Sequence, residues 1–213
     1  LNNDFGKSLA AGFKEQAKNF GVSVLAEYDY SIKDREFGPI ISKIKADKPD
    51  AIYASGYFFT AGPMVSQMRA AGLNQPIVGQ EGYDSQKFIE IAGKASEGVM
   101  ITTSLDRDSS SPETKDFING FAKKAGYPAD MVAASGHTAL LVVADALKRA
   151  GSNDASALRD AISKTSLSAS TGKISFNALG EVQKDVQVQV VKDGNWHHHS
   201  VISDAVLLAP PSK

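Results

Sequence analysis

Three short loops of the sequence combine aromatic rings with a carboxylate, the groups that bind an organic cation. The loops read NNDFG, SGYFF and QEGYD, and they begin at residues 2, 55 and 80. A carboxylate beside aromatic faces suits a ligand that carries a positive charge on an apolar body. The candidate ligand-binding residues in these loops are Phe5, Gly56, Tyr57, Glu81 and Tyr83.

Each of these residues also has a purely structural interpretation. A loop glutamate such as Glu81 is commonly solvated, and a tyrosine such as Tyr57 commonly packs at a helix start. Phe5 by itself fits a core position better than a ligand contact, and glycines such as Gly56 serve tight turns. The ligand-binding interpretation depends on the three loops lying together.

The sequence contains no recognisable catalytic, cofactor or metal-binding motif. It has no phosphate-binding loop, no G-x-S-x-G and no H-E-x-x-H, and it contains no cysteine. Three consecutive histidines at 197–199 cannot converge on one ion, because neighbouring side chains of an extended segment point to opposite faces. His137 lies in an apolar stretch and is expected to be a satisfied, half-buried histidine. We therefore predict a binding protein that is not an enzyme and that uses no cofactor.

Composition excludes several classes of partner. The chain has 213 residues, of which 42% are hydrophobic and 22% charged, as in an ordinary globular protein. Its formal net charge of -1 gives no general attraction to nucleic acid or to an anionic membrane. No apolar run approaches the roughly 20 residues that span a bilayer.

The first half of the chain alternates strands and helices, which predicts an α/β fold with a parallel sheet covered by helices on both faces. Predicted strands cover residues 22–28, 51–54, 76–79 and 98–103. Predicted helices cover residues 6–19, 38–48, 61–72 and 85–93. Because ligands bind beyond the carboxyl ends of parallel strands, the three candidate loops should meet at one edge of this sheet.

The pattern changes after the polar stretch RDSSSPE at 107–113, which reads as a connection between domains. Asp106, Asp108 and Glu113 in this region read as solvated acids. Helices are predicted over 112–124, 131–150 and 155–163, and strands over 171–176 and 185–194. The final stretch VISDAVLLAPPSK has no predicted structure.

Several long stretches resemble one protein family. NDFGKSLAAGFKEQAKNFG, FGPIISKIKADKPDAIYASGY, MRAAGLNQPIVGQEGYD, AGKASEGVMITT and TGKISFNALGEV occur in the order and spacing of the substrate-binding proteins of branched-chain amino acid ABC transporters. These proteins have the type I periplasmic binding protein fold, with two Rossmann-like lobes that enclose the ligand in a cleft. The resemblance implies a periplasmic or lipid-anchored extracellular protein that binds a small α-amino acid and delivers it to a membrane permease.

The resemblance also assigns roles to individual residues. Glu81 corresponds to the glutamate that holds the ligand ammonium, and Tyr57 corresponds to a tyrosine that assists it. Phe5 occupies the position of a ligand-contacting tyrosine, so a hydroxyl group is missing there.

The family comparison implies an incomplete chain. Residues 1–104 correspond to the second lobe without its first strand, 105–187 to part of the first lobe, and 188–213 to a return to the second lobe followed by a tail. The N-terminal section that usually binds the ligand carboxylate is not in this sequence. We expect that section of the same protein to be a partner, and the sheet to have an unpaired edge.

Other functions remain open at this stage. The same fold could bind an amide or an aromatic acid instead of an amino acid. It could also serve as the ligand-binding domain of a sensory receptor. An α/β enzyme with its site at the same sheet edge is a third class, although no catalytic set is recognisable.

Overall fold

The computed structural model describes residues 1–208 and consists of two compact units. The N-terminal unit contains residues 1–102 and 190–196. The C-terminal unit contains residues 103–189 and the chain from His197 onwards.

The N-terminal unit is built from a parallel sheet and the helices that connect its strands. Its helices are α1 (Asp4–Asn19), α2 (Gly38–Asp47), α3 (Phe58–Ala70) and α4 (Gln86–Ala92). Its first strands are β1 (Ile52–Tyr53), β2 (Ile77–Gly79) and β3 (Met100–Thr103). Ile52 lies beside Ile77, and Val78 lies beside Met100, in two parallel ladders. The predicted α/β fold with a parallel sheet is confirmed.

Local signals fix where these helices begin and end. The side chain of Asn3 accepts a hydrogen bond from the Gly6 amide (2.8 Å) and so caps α1. Pro39 stands in the first turn of α2, where a missing amide costs nothing. One continuous core of this unit packs the helices on the sheet; its most deeply buried side chains include Phe37, Val65, Met68, Ile77, Tyr83, Phe88, Val99 and Ile101.

The C-terminal unit combines three helices with a small antiparallel sheet. The helices are α5 (Pro112–Ala125), α6 (Met131–Ala150) and α7 (Ala155–Ser163). The strands are β4 (Ser166–Ala169), β5 (Gly172–Phe176) and β6 (Val182–Gln183), in spatial order β4-β5-β6. Its two small cores are centred on Phe117 and on Ile174. Strands β4 and β6 were not predicted, because each is short and neither alternates clearly.

A hairpin completes the larger sheet. It consists of β7 (Val186–Lys192) and β8 (Asn195–Ile202), and the order of the sheet is β1-β2-β3-β7-β8. Asp193 and Gly194 both have positive φ, as a two-residue type I′ turn requires. Strand β7 was predicted, but β8 was not, although the Asp-Gly pair is a strong hairpin signal.

The strand predicted over 22–28 does not form among the described residues. This segment is extended, but it is not part of either sheet. Backbone pairing requires a neighbouring strand, and β1 pairs only with β2. The sequence pattern therefore identified an extended apolar segment that lacks a partner in this structure.

The chain crosses between the two units near its C-terminal end. The chain enters the N-terminal unit again at Val190, and leaves it after Trp196, so residues from His197 to the end of the described chain belong to the C-terminal unit. The predicted return of the chain near residue 188 followed by a tail stays a prediction; strand β8 runs on past Trp196. Residues 209–213 lie outside the described residues.

Helix α6 is long and apolar enough to cross a membrane by length and composition alone. Its buried residues Ala134, Thr138, Val142 and Ala146 recur at steps of four and pack inside the C-terminal unit. Thr138 shares hydrogen bonds with the hydroxyls of Ser170 and Thr171. We therefore interpret α6 as a core helix of this unit.

Candidate functional site

The three candidate loops meet at the carboxyl edge of the parallel sheet in the N-terminal unit. The ring of Phe5 stacks on the ring of Tyr57, with centroids 5.1 Å apart and planes at 10°. The hydroxyl of Ser55 donates a hydrogen bond to the Gly6 carbonyl (3.4 Å). The side-chain amide of Gln80 donates to the Gly56 carbonyl (2.7 Å). The loops that carry Phe5, Tyr57 and Glu81 are therefore held together by direct contacts.

Two glycines permit the close approach of these loops. A Cβ atom on Gly82 would clash with the carbonyl oxygen of Gly56, and a Cβ atom on Gly56 would clash with the hydroxyl of Tyr30. Neither position has a positive φ, so space is the reason for glycine at both.

Glu81 presents its carboxylate to solvent at this edge. It begins a short 3-10 helix, Glu81–Tyr83, which is capped by the Gln80 side chain accepting from the Gly82 amide (2.6 Å). Gln80 is buried, whereas the side chain of Glu81 is exposed, and its carboxylate makes no hydrogen bond or ion pair with any described residue. Burial, and secondarily the charge of Glu81, raise the pKa of Tyr53. The backbone of the turn is thus held by the Gln80 side chain, while the carboxylate of Glu81 is exposed and available to a cation.

Tyr83, predicted as a ligand-binding residue, is buried in the core. Its side chain is 0% exposed and stacks on Phe88 with centroids 5.2 Å apart. Its hydroxyl has no hydrogen-bond partner among the described residues, and burial raises its pKa well above the usual value. The 3-10 turn directs this ring into the core, so in this structure Tyr83 supports the loop and cannot touch a ligand.

Phe59 also packs with these aromatic rings, although the sequence analysis did not predict it as a ligand-binding residue. Its ring stacks on Tyr57, with centroids 5.6 Å apart and planes at 15°, so Phe5, Tyr57 and Phe59 form a stack of three half-buried rings. The guanidinium of Arg35 lies 5.6 Å from the centre of the Phe59 ring. The two phenylalanines that follow Tyr57 in the sequence indicate further aromatic contacts here. The sequence does not show which of the two rings packs against Tyr57. The arrangement offers an aromatic surface on a loop that Gln80 ties to the loop of Glu81.

The histidines form no metal site. Among the described residues, no group of three or more histidine, cysteine, aspartate or glutamate side chains could hold an ion. His197 contacts Asp108 and His198 contacts Asp106, each at 3.2 Å. Asp106 also accepts a hydrogen bond from Gln189 (3.2 Å), so the prediction that both aspartates are merely solvated is wrong.

His137 has the structural role predicted for it. Its Nδ1 lies 3.0 Å from the Ser170 hydroxyl, and its ring stacks on Phe117. Both contacts lie in the C-terminal unit, which leaves this histidine satisfied and half-buried.

In small-molecule binding proteins with a parallel α/β sheet, the residues that contact the ligand lie on loops at the carboxyl ends of the strands. The aromatic rings and the carboxylate described above lie on loops of this kind. The chain belongs to the periplasmic binding protein family, whose family model matches residues 1–195. The resemblance seen in the sequence is thereby confirmed.

Individual relatives give more detail. A protein of Pseudomonas aeruginosa, named a leucine-, isoleucine-, valine-, threonine- and alanine-binding protein, is 26% identical over 84% of this chain and 48% of its own length. The crystal structure of a leucine-binding protein from Thermotoga maritima matches with a TM-score of 0.89 and 30% identity, over 96% of this chain and 59% of that one. This match confirms the type I periplasmic binding protein fold.

Another structural neighbour has a different ligand. A solute-binding protein from R. palustris, solved in complex with benzoate, matches with a TM-score of 0.86 at 22% identity, over 94% of this chain and 56% of that one. At this identity the likeness shows the fold alone. The chain spans about half the length of the relatives it matches, for example 48% of the Pseudomonas protein.

Proposed function

We propose that this chain is part of an extracytoplasmic solute-binding protein that captures a small aliphatic α-amino acid and delivers it to an ABC transporter permease. The observation that carries the proposal is the exposed carboxylate of Glu81 on a loop that Gln80 ties to the loop of Tyr57, whose ring stacks on Phe5. The names of the relatives support the same ligand class, since one is a leucine-, isoleucine-, valine-, threonine- and alanine-binding protein.

The chemistry of the site fits this ligand. The carboxylate of Glu81 would neutralise the ammonium group, and the rings of Phe5 and Tyr57 would cover the apolar body of the amino acid. Phe5 has no hydroxyl, so Tyr57 and Glu81 would supply the polar contacts to the ligand. The ligand itself would take Glu81 out of water, which increases the strength of the pair.

Substitution of Glu81 tests the proposal. In the longer protein, Glu81→Gln keeps the shape of the side chain but leaves a ligand ammonium without its counter-ion. Breaking a buried pair in this way costs about 3–5 kcal/mol, on the order of a hundredfold or more in leucine affinity. A solvent-exposed pair would cost only about 0–1 kcal/mol. Titration calorimetry with leucine measures the difference.

The matched control is Glu15→Gln, which removes an exposed carboxylate of α1 outside the candidate site. It should leave leucine affinity unchanged. A folded Glu81→Gln protein that binds leucine within a few-fold of wild type would show that Glu81 is only a solvated acid.

An aromatic carboxylate is the second candidate ligand. The observation that favours it is the three-ring stack with the Arg35 guanidinium 5.6 Å from the Phe59 ring, because stacked rings and a cation suit an aromatic acid. The same titration with benzoate separates the two candidates. If benzoate binds to both the wild-type and the Glu81→Gln protein and leucine does not bind, the ligand is an aromatic acid and not an amino acid.

A further inference from the structure

The backbone of Tyr57 is fixed at the start of α3. Its carbonyl accepts hydrogen bonds from the Thr60 amide (2.9 Å) and the Ala61 amide (2.8 Å). Its amide donates to the Thr60 hydroxyl at 3.2 Å. These contacts hold the main chain and leave the side-chain torsions of the tyrosine to be set by what its ring touches.

Two other rings touch the ring of Tyr57. Phe5 comes from the beginning of α1, and Phe59 lies two residues after Tyr57 in α3. Both stack nearly parallel to the tyrosine, with interplanar angles of 10° for Phe5 and 15° for Phe59. All three rings are half-buried, so the surrounding core does not enclose them completely. Loss of the Phe59 ring would leave Tyr57 stacked on Phe5 alone among the described residues.

Phe59 is itself held from two sides. Its ring meets the ring of Phe58 edge to face, with centroids 5.3 Å apart, and the guanidinium of Arg35 lies over it at 5.6 Å. A guanidinium over an aromatic face is attracted by the electrons of the ring. The guanidinium is placed by its own loop, since it donates to the carbonyls of Ile32 (3.0 Å) and Asp34 (2.7 Å).

The loop that carries Arg35 is tied to the helix that carries Phe59. The side-chain amide of Gln67 in α3 donates to the Arg35 carbonyl at 2.6 Å, and its oxygen accepts from the Phe37 amide at 2.8 Å. One side chain of α3 therefore uses both of its polar ends on this loop. The position of Arg35 relative to Phe59 is set by hydrogen bonds to the same helix.

We propose that Phe59 is a positioning residue of the candidate ligand site: it holds the ring of Tyr57 in place before the ligand arrives, and Arg35 supports it from the neighbouring loop. The inference rests on the proposed function, in which Tyr57 contacts the ligand. A ring that is ordered in advance loses less conformational freedom on binding, so Phe59 raises the affinity without touching the ligand.

The test measures the mobility of the Tyr57 ring and the affinity for leucine in the same variants of the longer protein. Fluorotyrosine is incorporated, and Tyr57→Phe identifies the fluorine NMR signal of Tyr57 by its loss. Fluorine relaxation without ligand reports how freely the ring moves, whereas the chemical shift would change with the missing ring current alone. Phe59→Leu should make the Tyr57 ring more mobile and weaken leucine binding about two- to tenfold, as expected for one lost aromatic pair.

Two further substitutions separate positioning from packing. Phe59→Tyr keeps the ring and should retain both the mobility and the affinity of wild type. Phe121→Leu removes a half-buried ring of the C-terminal unit, which contacts Tyr127 with centroids 5.4 Å apart. It should leave both readouts for Tyr57 unchanged. A change of equal size in Phe121→Leu would assign the effect to general destabilisation and overturn the proposal.

Arg35→Met provides a second test that leaves every ring in place, and it decides the outcome if Phe59→Leu does not fold. Arg35 is exposed, and its substitution should increase the mobility of Tyr57 and weaken leucine binding by about twofold. Lys33→Met removes an exposed charge from the same loop and should change neither.

The outcomes distinguish this proposal from the proposed function. An unchanged Tyr57 ring in folded Phe59→Leu overturns the positioning role, and so does a more mobile ring with unchanged leucine affinity. Where Arg35→Met decides, equal effects of Arg35→Met and Lys33→Met overturn it. A wild-type protein that does not bind leucine contradicts the proposed function instead, and the ring mobility measured without ligand then decides whether Phe59 positions Tyr57.

Discussion

At the scale of single residues, the candidate site depends on small and buried groups as much as on those that would touch a ligand. Gln80 is buried, donates to the Gly56 carbonyl and accepts from the Gly82 amide, so one side chain joins two loops. Glu81 is placed by this arrangement and needs no contact of its own. The identity of Gln80 as the organising residue was not evident in the sequence, where it reads as an ordinary polar residue after a strand.

Gly82→Ala is expected to destabilise the protein. The added Cβ would clash with the Gly56 carbonyl, which is fixed by its hydrogen bond from Gln80. Forced shifts of this kind cost about 1–3 kcal/mol of unfolding free energy. Denaturant titration monitored by circular dichroism measures the change as a lower midpoint at constant slope.

Gly12→Ala is the control for that substitution. Gly12 lies inside α1 with no atom near its potential Cβ, so alanine should stabilise the protein by about 0.5–1 kcal/mol through helix propensity. The two substitutions should therefore shift the midpoint in opposite directions. A Gly82→Ala protein as stable as wild type would contradict the close packing of the loops.

At the scale of elements, the sequence predicted those whose signals are local and missed those that depend on partners. Helix α5 was predicted within one residue, because Pro112 begins it and Gly126 ends it in the left-handed region. The segment 22–28 has the pattern of a strand but pairs with nothing described, since pairing is a tertiary property. Tyr83 was misassigned for a similar reason: a 3-10 turn decides which way its ring points, and residue type does not.

Helix α6 has a second apolar stripe that faces away from its buried one. The exposed members of this stripe are Val132, Leu140, Val143 and Leu147, and Leu140 is 72% exposed. Their spacing of three to eight residues places them along one side of the helix. An exposed apolar stripe of this length promotes association.

Leu140→Lys is expected to reduce self-association of the chain without lowering its melting temperature, because the leucine side chain has little packing to lose. Light scattering as a function of protein concentration measures the effect. The matched control is Asn119→Lys on α5, which adds the same charge at an exposed polar position. An equal reduction by both variants would assign the effect to net charge and contradict a role for the stripe.

At the scale of the whole molecule, this chain matches about half the length of its relatives, and its candidate ligand groups all lie in the N-terminal unit. Those groups suit an ammonium and an apolar body. The candidate residues Phe5, Gly56, Tyr57 and Glu81 include no cation that would hold an α-carboxylate.

Residues 1–213 alone are expected to bind leucine much more weakly than the longer protein. A ligand that binds only the folded state stabilises it by about 2.7 kcal/mol when its concentration is a hundredfold above the dissociation constant. At that leucine concentration, the longer protein should show a clear rise in melting temperature, and residues 1–213 should show almost none. Glu81→Gln in the longer protein serves as the control and should lose most of the rise. Equal rises for the two lengths of wild-type chain would show that the N-terminal unit recognises leucine without the additional section.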